Sequence, residues 1–231
     1  MEALTLGKII SEINSHIYKL VKLRFNWVMN SPQTWPQIVA QLDNYRPSFH
    51  HTIVRWCPLP TGLVKCNTDG ASKGNPGPSS ASLCERDHSG NLVGAKGVKL
   101  TDSSNLVVEA TAIREGVQYC LDKHFHQIVI ETNSLSMVNI LNGEWDSPLS
   151  VTMEVNSINR IKNTISVRVQ HSFREGNTLA DFFGNLVSVN AGTYEFNSFQ
   201  EVPRAAKKII NFDKCNTQYI RIKQTDFPSS N

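Results

Sequence analysis

The sequence predicts an α/β fold, a mixed sheet with helices on its faces. Three observations carry this. Residues 63–100 read as three successive strands joined by turn residues. Beyond them, strands alternate with helical periodicities. Finally, "QIVIETNSLSMV", Gln127 to Val138, runs from three β-branched residues into a polar turn and then into apolar residues at helical spacing. That is the pattern of a buried strand feeding a helix.

The elements follow in order. Leu6, Ile9, Ile10, Ile13, Ile17 and Leu20 fall at three- and four-residue spacing, an amphipathic helical stripe. Pro32, Pro36, Pro47, Pro58 and Pro60 then punctuate the chain, which places a linker near 46–62. In "LVKCNTDGAS", Val64, Cys66 and Thr68 alternate with Lys65, Asn67 and Asp69, as in a half-buried strand. "SKGNPGPSS" is a loop of turn residues. "ASLCERD" and "NLVGAKGVKL" are two further strands, turned at His88-Ser89-Gly90. "SSNLVVEATAIREGVQYCLDKH" is a helix capped by Ser103 or Ser104, with Leu106, Ala110, Ile113, Val117 and Leu121 inward. A strand at 127–132, helices near 134–142 and 149–162, a fifth strand in "ISVRVQHSF" and a helix near 177–190 complete the pattern. The chain thus divides into an N-terminal helical segment with a Pro-containing linker, 1–62, a central domain, 63–192, and a C-terminal tail, 193–231. The tail is expected to be loosely structured, with one short strand in "CNTQYIRIKQ".

Composition narrows the class. With 40% apolar and 19% charged residues among 231, the chain can bury a core and is not a disordered polymer. Its five cysteines are scattered, odd in number and never paired as C-x-x-C, which argues against a zinc site and a disulfide framework. The start lacks a basic leader and no apolar run reaches membrane-spanning length. A soluble intracellular protein, nuclear or cytoplasmic, is expected, with no membrane partner. Residues 1–62 hold 6 Lys/Arg against 3 Asp/Glu and 193–231 hold 6 against 4, leaving 11 against 13 in the middle. A domain that lives on nucleic-acid phosphates is usually more basic. Such a middle binds through a small patch, through metal-neutralised acids, or with help from the flanks.

The acids themselves converge. Asp69 ends the first strand of the domain, Glu109 borders the buried face of the first long helix, and Asp181 does the same on the last helix. A right-handed crossover sets strand 127–132 parallel to strand 63–72, which brings Asn133 beside Asp69. Singly, an Asp-Gly is an ordinary turn and a helical Glu an ordinary solvated acid. Three carboxylates at one end of a sheet repel one another unless a cation sits among them. An all-oxygen set suits Mg²⁺ or Mn²⁺ rather than zinc.

The segment 63–192 resembles the ribonuclease H family, in the form found in plants at the ends of non-LTR retrotransposon polyproteins and in free-standing relatives. The carrying residues are "NTDGASKGNPGP", "RDHSGNLV", "NLVVEATAIREGV", "IVIETNSLSMVNIL" and "HSFREGNTLADFFG". The resemblance implies a ribonuclease H-like fold: a five-stranded mixed sheet, its first three strands antiparallel, with helices on both faces. It implies binding of an RNA–DNA hybrid and hydrolysis of its RNA strand with two Mg²⁺ ions, Mn²⁺ being the other candidate. Asp69, Glu109 and Asp181 occupy three of the family's four carboxylate positions and would hold the metal. His171 stands at the position of a mobile histidine linked to proton transfer or product release. Asn75, Asn105 and Asn177 match positions that contact substrate or support the site. Asn105 is also readable as a first-turn capping residue.

Three departures stand out. Asn133 replaces the family's third acid, "ADFFG" replaces Ala-Asp-x-Leu-Ala, and Ser80-Ala81-Ser82 stand where many relatives carry glycine. An amide keeps one carbonyl oxygen but loses the charge, and its NH₂ cannot coordinate a cation. Two functions follow: a hybrid endonuclease of reduced activity, or a retrotransposon-derived module that holds hybrid or duplex without cutting it. The sequence identifies no protein partner.

Overall fold

The pattern of short β-branched runs between turns produces eight strands and seven helices in the computed structural model, which describes residues 5–25, 28, 34–43, 48–189 and 192–225. They fall into two units, Ile53–Tyr219 and a second made of the remaining N- and C-terminal residues. In the larger unit β2 (Val64–Ser72), β3 (Gly77–Arg86) and β4 (Leu92–Ser103) form an antiparallel meander. Helix α3 (Asn105–Asp122) then carries the chain back to β5 (Gln127–Thr132), parallel to β2 in the register Thr68↔Thr132. Helices α4 (Leu135–Leu141) and α5 (Thr152–Lys162) lead to β6 (Ser166–His171), parallel to β5, and α6 (Thr178–Val189) follows. The sheet order is β6-β5-β2-β3-β4-β7.

Each face of the sheet has its own core. Cys66, Leu83, Ile128 and Ile130 pack with Ile113 and Val117 of α3 and Ile158 of α5. On the other face Cys84 and Ala95 pack with Leu179 and Phe183 of α6. Successive side chains of a strand point to opposite faces, which is why Leu83 and Cys84, neighbours on β3, serve opposite cores.

The strand β2 is not half-buried as its alternation suggests: Val64 to Asp69 are all buried. Its polar residues face a second interior. Lys65 Nζ reaches Glu131 Oε1 at 2.6 Å, Asn67 Nδ2 donates to Glu131 Oε2 at 3.0 Å, and Gln170 Nε2 donates to Glu131 Oε1 at 2.8 Å. The Arg86 guanidinium donates to Asn67 Oδ1 at 2.9 Å and stacks 4.1 Å above the Trp56 ring, with Lys65 5.0 Å from the same ring. Alternation here separates two kinds of interior, one apolar and one ionic.

The tail is ordered where a loose segment was expected. β7 (Thr193–Phe196) adds a sixth strand against β4, and α7 (Arg204–Lys214) buries Ala206, Ile210 and Asp213. The reason is chemical: Asp213 meets Arg86, both almost fully buried. Residues 193–219 therefore belong to the compact unit, as do 53–62, which had been read as linker.

The other unit holds α1 (Leu6–Arg24), α2 (Trp35–Asp43) and most of a two-stranded sheet of β1 (Ser48–Val54) and β8 (Tyr219–Thr225). α1 buries none of its residues, while α2 buries Ile38 and takes Pro36 into its first turn, where a missing N–H costs nothing. β1 occupies part of the expected linker, and β8 is the short strand expected in the tail. Pro32 and Pro47 lie outside the described residues. Among those residues no helix is long and apolar enough to cross a membrane.

Asp213→Ala leaves a guanidinium buried without its carboxylate, a loss that typically costs about 3–5 kcal/mol. Urea unfolding should show a clearly lower midpoint for this variant, and Arg86→Leu with Asp213→Leu should recover much of it. A single variant within about 0.5 kcal/mol of the natural chain means the pair does not anchor the tail.

Candidate functional site

The site is built where β2 and β5 end side by side. Their parallel register sets residue 133 next to residue 69, and Asn133 Nδ2 donates to Asp69 Oδ1 at 2.8 Å. The next residue, Gly70, has no side chain for a physical reason. A Cβ there would stand 2.6 Å from the Glu109 nitrogen and 2.7 Å from the Val108 carbonyl carbon. That close approach seats Glu109 over the strand end. Its carboxylate accepts from Thr132 Oγ1 at 3.3 Å and lies near enough to the Gly70 N–H to be steadied by it.

Asp181 comes from the first turn of α6, and the helix is pinned by polar contacts. Asn177 Nδ2 donates to the Thr68 carbonyl at 2.8 Å. Ser82 Oγ donates to the Ala180 carbonyl at 2.7 Å and Ser80 Oγ to the Gly184 carbonyl at 3.1 Å. A Cβ at Gly184 would lie 3.3 Å from Ser82 Oγ and 3.6 Å from Asp69 Oδ2. Two departures from the family pattern thus meet in space: the added serine hydroxyl fills the room left by the missing methyl. The Asp181 carboxylate pairs with Arg174 and accepts from Asn185 Nδ2 at 2.9 Å.

Asp69 and Glu109 open onto a cleft of about 640 Å³ whose walls also include Asn75, Asn105, Asn133 and Arg174, the partner of Asp181. Asn75, at φ +35°, accepts the Asn105 N–H on its side-chain oxygen at 2.8 Å, so the loop caps α3 from outside. Asn105 is exposed at the mouth, with its backbone in this cap and its side chain left to the cleft. Asn177 does not reach the cleft. It is fully buried and holds α6 to β2, so its place is structural support rather than substrate contact. His171 ends β6 opposite Thr132, stacks edge-on against Phe173 at 5.3 Å, and lines a neighbouring depression of about 350 Å³ with Glu131 and Gln170. Arg174 and Thr132 were not anticipated as site residues. A cation seven residues before Asp181 was the available signal for the first.

Electrostatics reflect crowding. Burial, then the Asp181 charge, pushes the Asp69 carboxyl up to about 6. Burial, then the Asp69 charge, pushes Glu109 up to about 8. The hydrogen bond and charge of Asp181 raise Arg174 further, and Arg174 partly relieves both raised acids. Asp69, Glu109 and Asp181 offer oxygens only; for want of counter-charge Glu109 keeps its proton at neutral pH and Asp69 keeps one into mildly acidic pH. That donor set fits a hard divalent cation such as Mg²⁺ or Mn²⁺.

Both acids bind protons more tightly folded than unfolded, so the folded state holds the extra protons between about pH 4 and 8. Stability contributed here is present at low pH and lost as pH rises through that window. Glu85, raised by burial to about 7, acts in the same direction. In EDTA the melting temperature should fall from pH 5 to pH 8, and Asp69→Asn should flatten that fall. A melting temperature that climbs over the same interval contradicts this electrostatic account.

A family model described as reverse transcriptase-like matches residues 67–187, just over half of the chain. An Arabidopsis thaliana protein provisionally named a ribonuclease H protein is 33% identical over 164 residues, which take in 70% of this chain and 26% of that protein. RNase H1 from Halobacterium salinarum is similar in structure, with a TM-score of 0.53 and 23% identity, over 56% of this chain and 99% of that one. The N-terminal RNase H domain of a Mycobacterium tuberculosis protein is similar at a TM-score of 0.53 and 19% identity, over 55% and 94%. A compost-derived RNase H1, solved in complex with an RNA/DNA hybrid, is similar at a TM-score of 0.51 and 23% identity, over 53% and 94%.

Proposed function

Because the chain belongs to the ribonuclease H family, through its reverse transcriptase-like members, we propose that it binds RNA–DNA hybrids and hydrolyses their RNA strand slowly. What supports this reading is Asp69 beside Glu109 on one cleft wall, with Asp181 near enough to raise the Asp69 carboxyl and Asn133 bonded to Asp69 in the remaining position. Descent from a retrotransposon is supported by the reverse transcriptase-like match.

Asp69, Glu109 and Asp181 would hold the divalent ions, Mg²⁺ by preference. When bound, these supply an activated water and a stabilised leaving oxygen. Asp69 and Glu109 must shed their protons before their oxygens are free, so activity rises with pH across their range. The exposed Asn75 and Asn105 lie where a sugar edge and its 2′-hydroxyl would pass. The Arg174 guanidinium, mostly exposed at the cleft wall, attracts the phosphate backbone.

Asn133 is the weak point. It offers one neutral oxygen, and its NH₂ is a donor directed at Asp69. For a lost charge against a metal we expect about 3–5 kcal/mol, on the order of 10²–10⁴ in rate. A second reading, a module that binds hybrid or duplex without cutting, is favoured by the same contacts. Asn133 donates to Asp69, Thr132 to Glu109, and Arg174 and Asn185 to Asp181, so all three acids already have protein partners.

The discriminating measurement is Mg²⁺-dependent cleavage of an RNA–DNA hybrid. Asn133→Asp should raise the rate at least about 10²-fold, and Asp69→Asn should abolish whatever activity remains. If Asn133→Asp stays at background while hybrid binding persists, the binding-module reading prevails. If the natural protein already cuts as fast as Asn133→Asp, the weight placed on the lost charge is wrong.

A further inference from the structure

At the far end of α3 from Glu109 lies a second polar cluster that the proposed chemistry does not use. Cys66 on β2 and Glu85 on β3 are direct cross-strand partners, so their side chains share one face of the sheet. Cys120 on α3 covers that face. All three are fully buried, and their sulfur and carboxylate atoms lie within 4.8 Å of one another. Cys120 is eleven residues beyond Glu109, about 16 Å along the helix, so this cluster is separate from the acid cleft.

We propose that Cys66, Glu85 and Cys120 form a structural site for a zinc-class divalent ion, independent of the hybrid-cleaving reading.

The decisive feature is Glu85. The surroundings are otherwise those of an apolar core, including Leu83, Ile113 and Val117. Among the described residues neither Glu85 oxygen has a hydrogen-bond partner of proper geometry. The groups that act on it are the Cys120 thiol, a weak donor, and the charge of Lys123. A carboxylate so placed is a liability in a bare core and an asset beside a cation. Two thiolates and one carboxylate form a borderline-soft set that selects zinc over magnesium, with a fourth position left to water. Two sulfurs on one tetrahedral zinc stand about 3.8 Å apart, so the cluster needs only a small contraction. Binding releases the two thiol protons and any proton on Glu85 to solvent. Three ligands from β2, β3 and α3 assemble only on folding. This is why the scattered cysteine spacing pointed away from zinc.

The test uses the full chain, reduced and refolded from urea with one equivalent of Co²⁺ in millimolar Mg²⁺. A near-ultraviolet thiolate-to-cobalt band is expected. It should persist in Asp69→Asn, disappear in Cys66→Ser and Cys120→Ser, and yield to one equivalent of Zn²⁺. Glu85→Gln should weaken Co²⁺ binding about 10- to 100-fold. Since a cysteine variant can fail to fold, Glu85→Leu supplies a second readout. It should raise the melting temperature of metal-stripped protein and lower it relative to the zinc-loaded natural chain. Absence of a thiolate band at one equivalent overturns the proposal. So does a Glu85→Leu protein more stable than the zinc-loaded natural chain, or a Cys66–Cys120 disulfide in the protein as isolated.

Discussion

The backbone of α3 lies so close to Gly70 that no side chain fits between them. The rest of the site depends on that contact. It fixes the height of Glu109 above the strand end and brings its carboxylate within reach of the Gly70 N–H and the Thr132 hydroxyl. It also removes water, so burial is the largest force on the protons of both Asp69 and Glu109. With the parallel register of β2 and β5, the same approach determines that residue 133 must answer to Asp69. An acid there would have added to the repulsion, and the amide instead contributes a hydrogen bond.

Around this point the sheet is divided by chemistry. One face of β2 belongs to an apolar core, the other to an ionic interior in which Lys65, Glu131, Asn67 and Arg86 satisfy one another around Trp56. Removing one partner from such a network costs far more than the network contributes. Its value lies in fixing register: Lys65 and Glu131 join β2 to β5, and Arg86 and Asp213 join β3 to α7. The acids at the strand ends inherit that precision.

The order of strands and helices was legible because period and turn chemistry are local. So was the pairing of Asn133 with Asp69, since topology alone brings the ends of β2 and β5 together. Less was legible where a residue's meaning depends on a distant partner. Lys65, Asn67 and Asp69 read as a solvent face because nothing nearby in sequence reveals that Trp56, Gln170 and Asp213 cover it. The tail read as loose because α7 is short and polar; its anchor is one aspartate facing Arg86. Ser82 and Gly184 read as two defects, yet in space each makes room for the other. Asn177 matched a substrate position by spacing, but spacing carries no information about burial.

Residue 187, where the match to the family model ends, and residue 219, where the compact unit ends, are different boundaries. The interval between them holds the carboxylate that neutralises Arg86. The family model therefore stops short of the compact unit. A fragment trimmed to the shared region would retain every acid of the cleft and still carry a bare guanidinium in its interior. Inactivity of such a fragment would reflect the place of the cut, and would say nothing about the chemistry of the cleft.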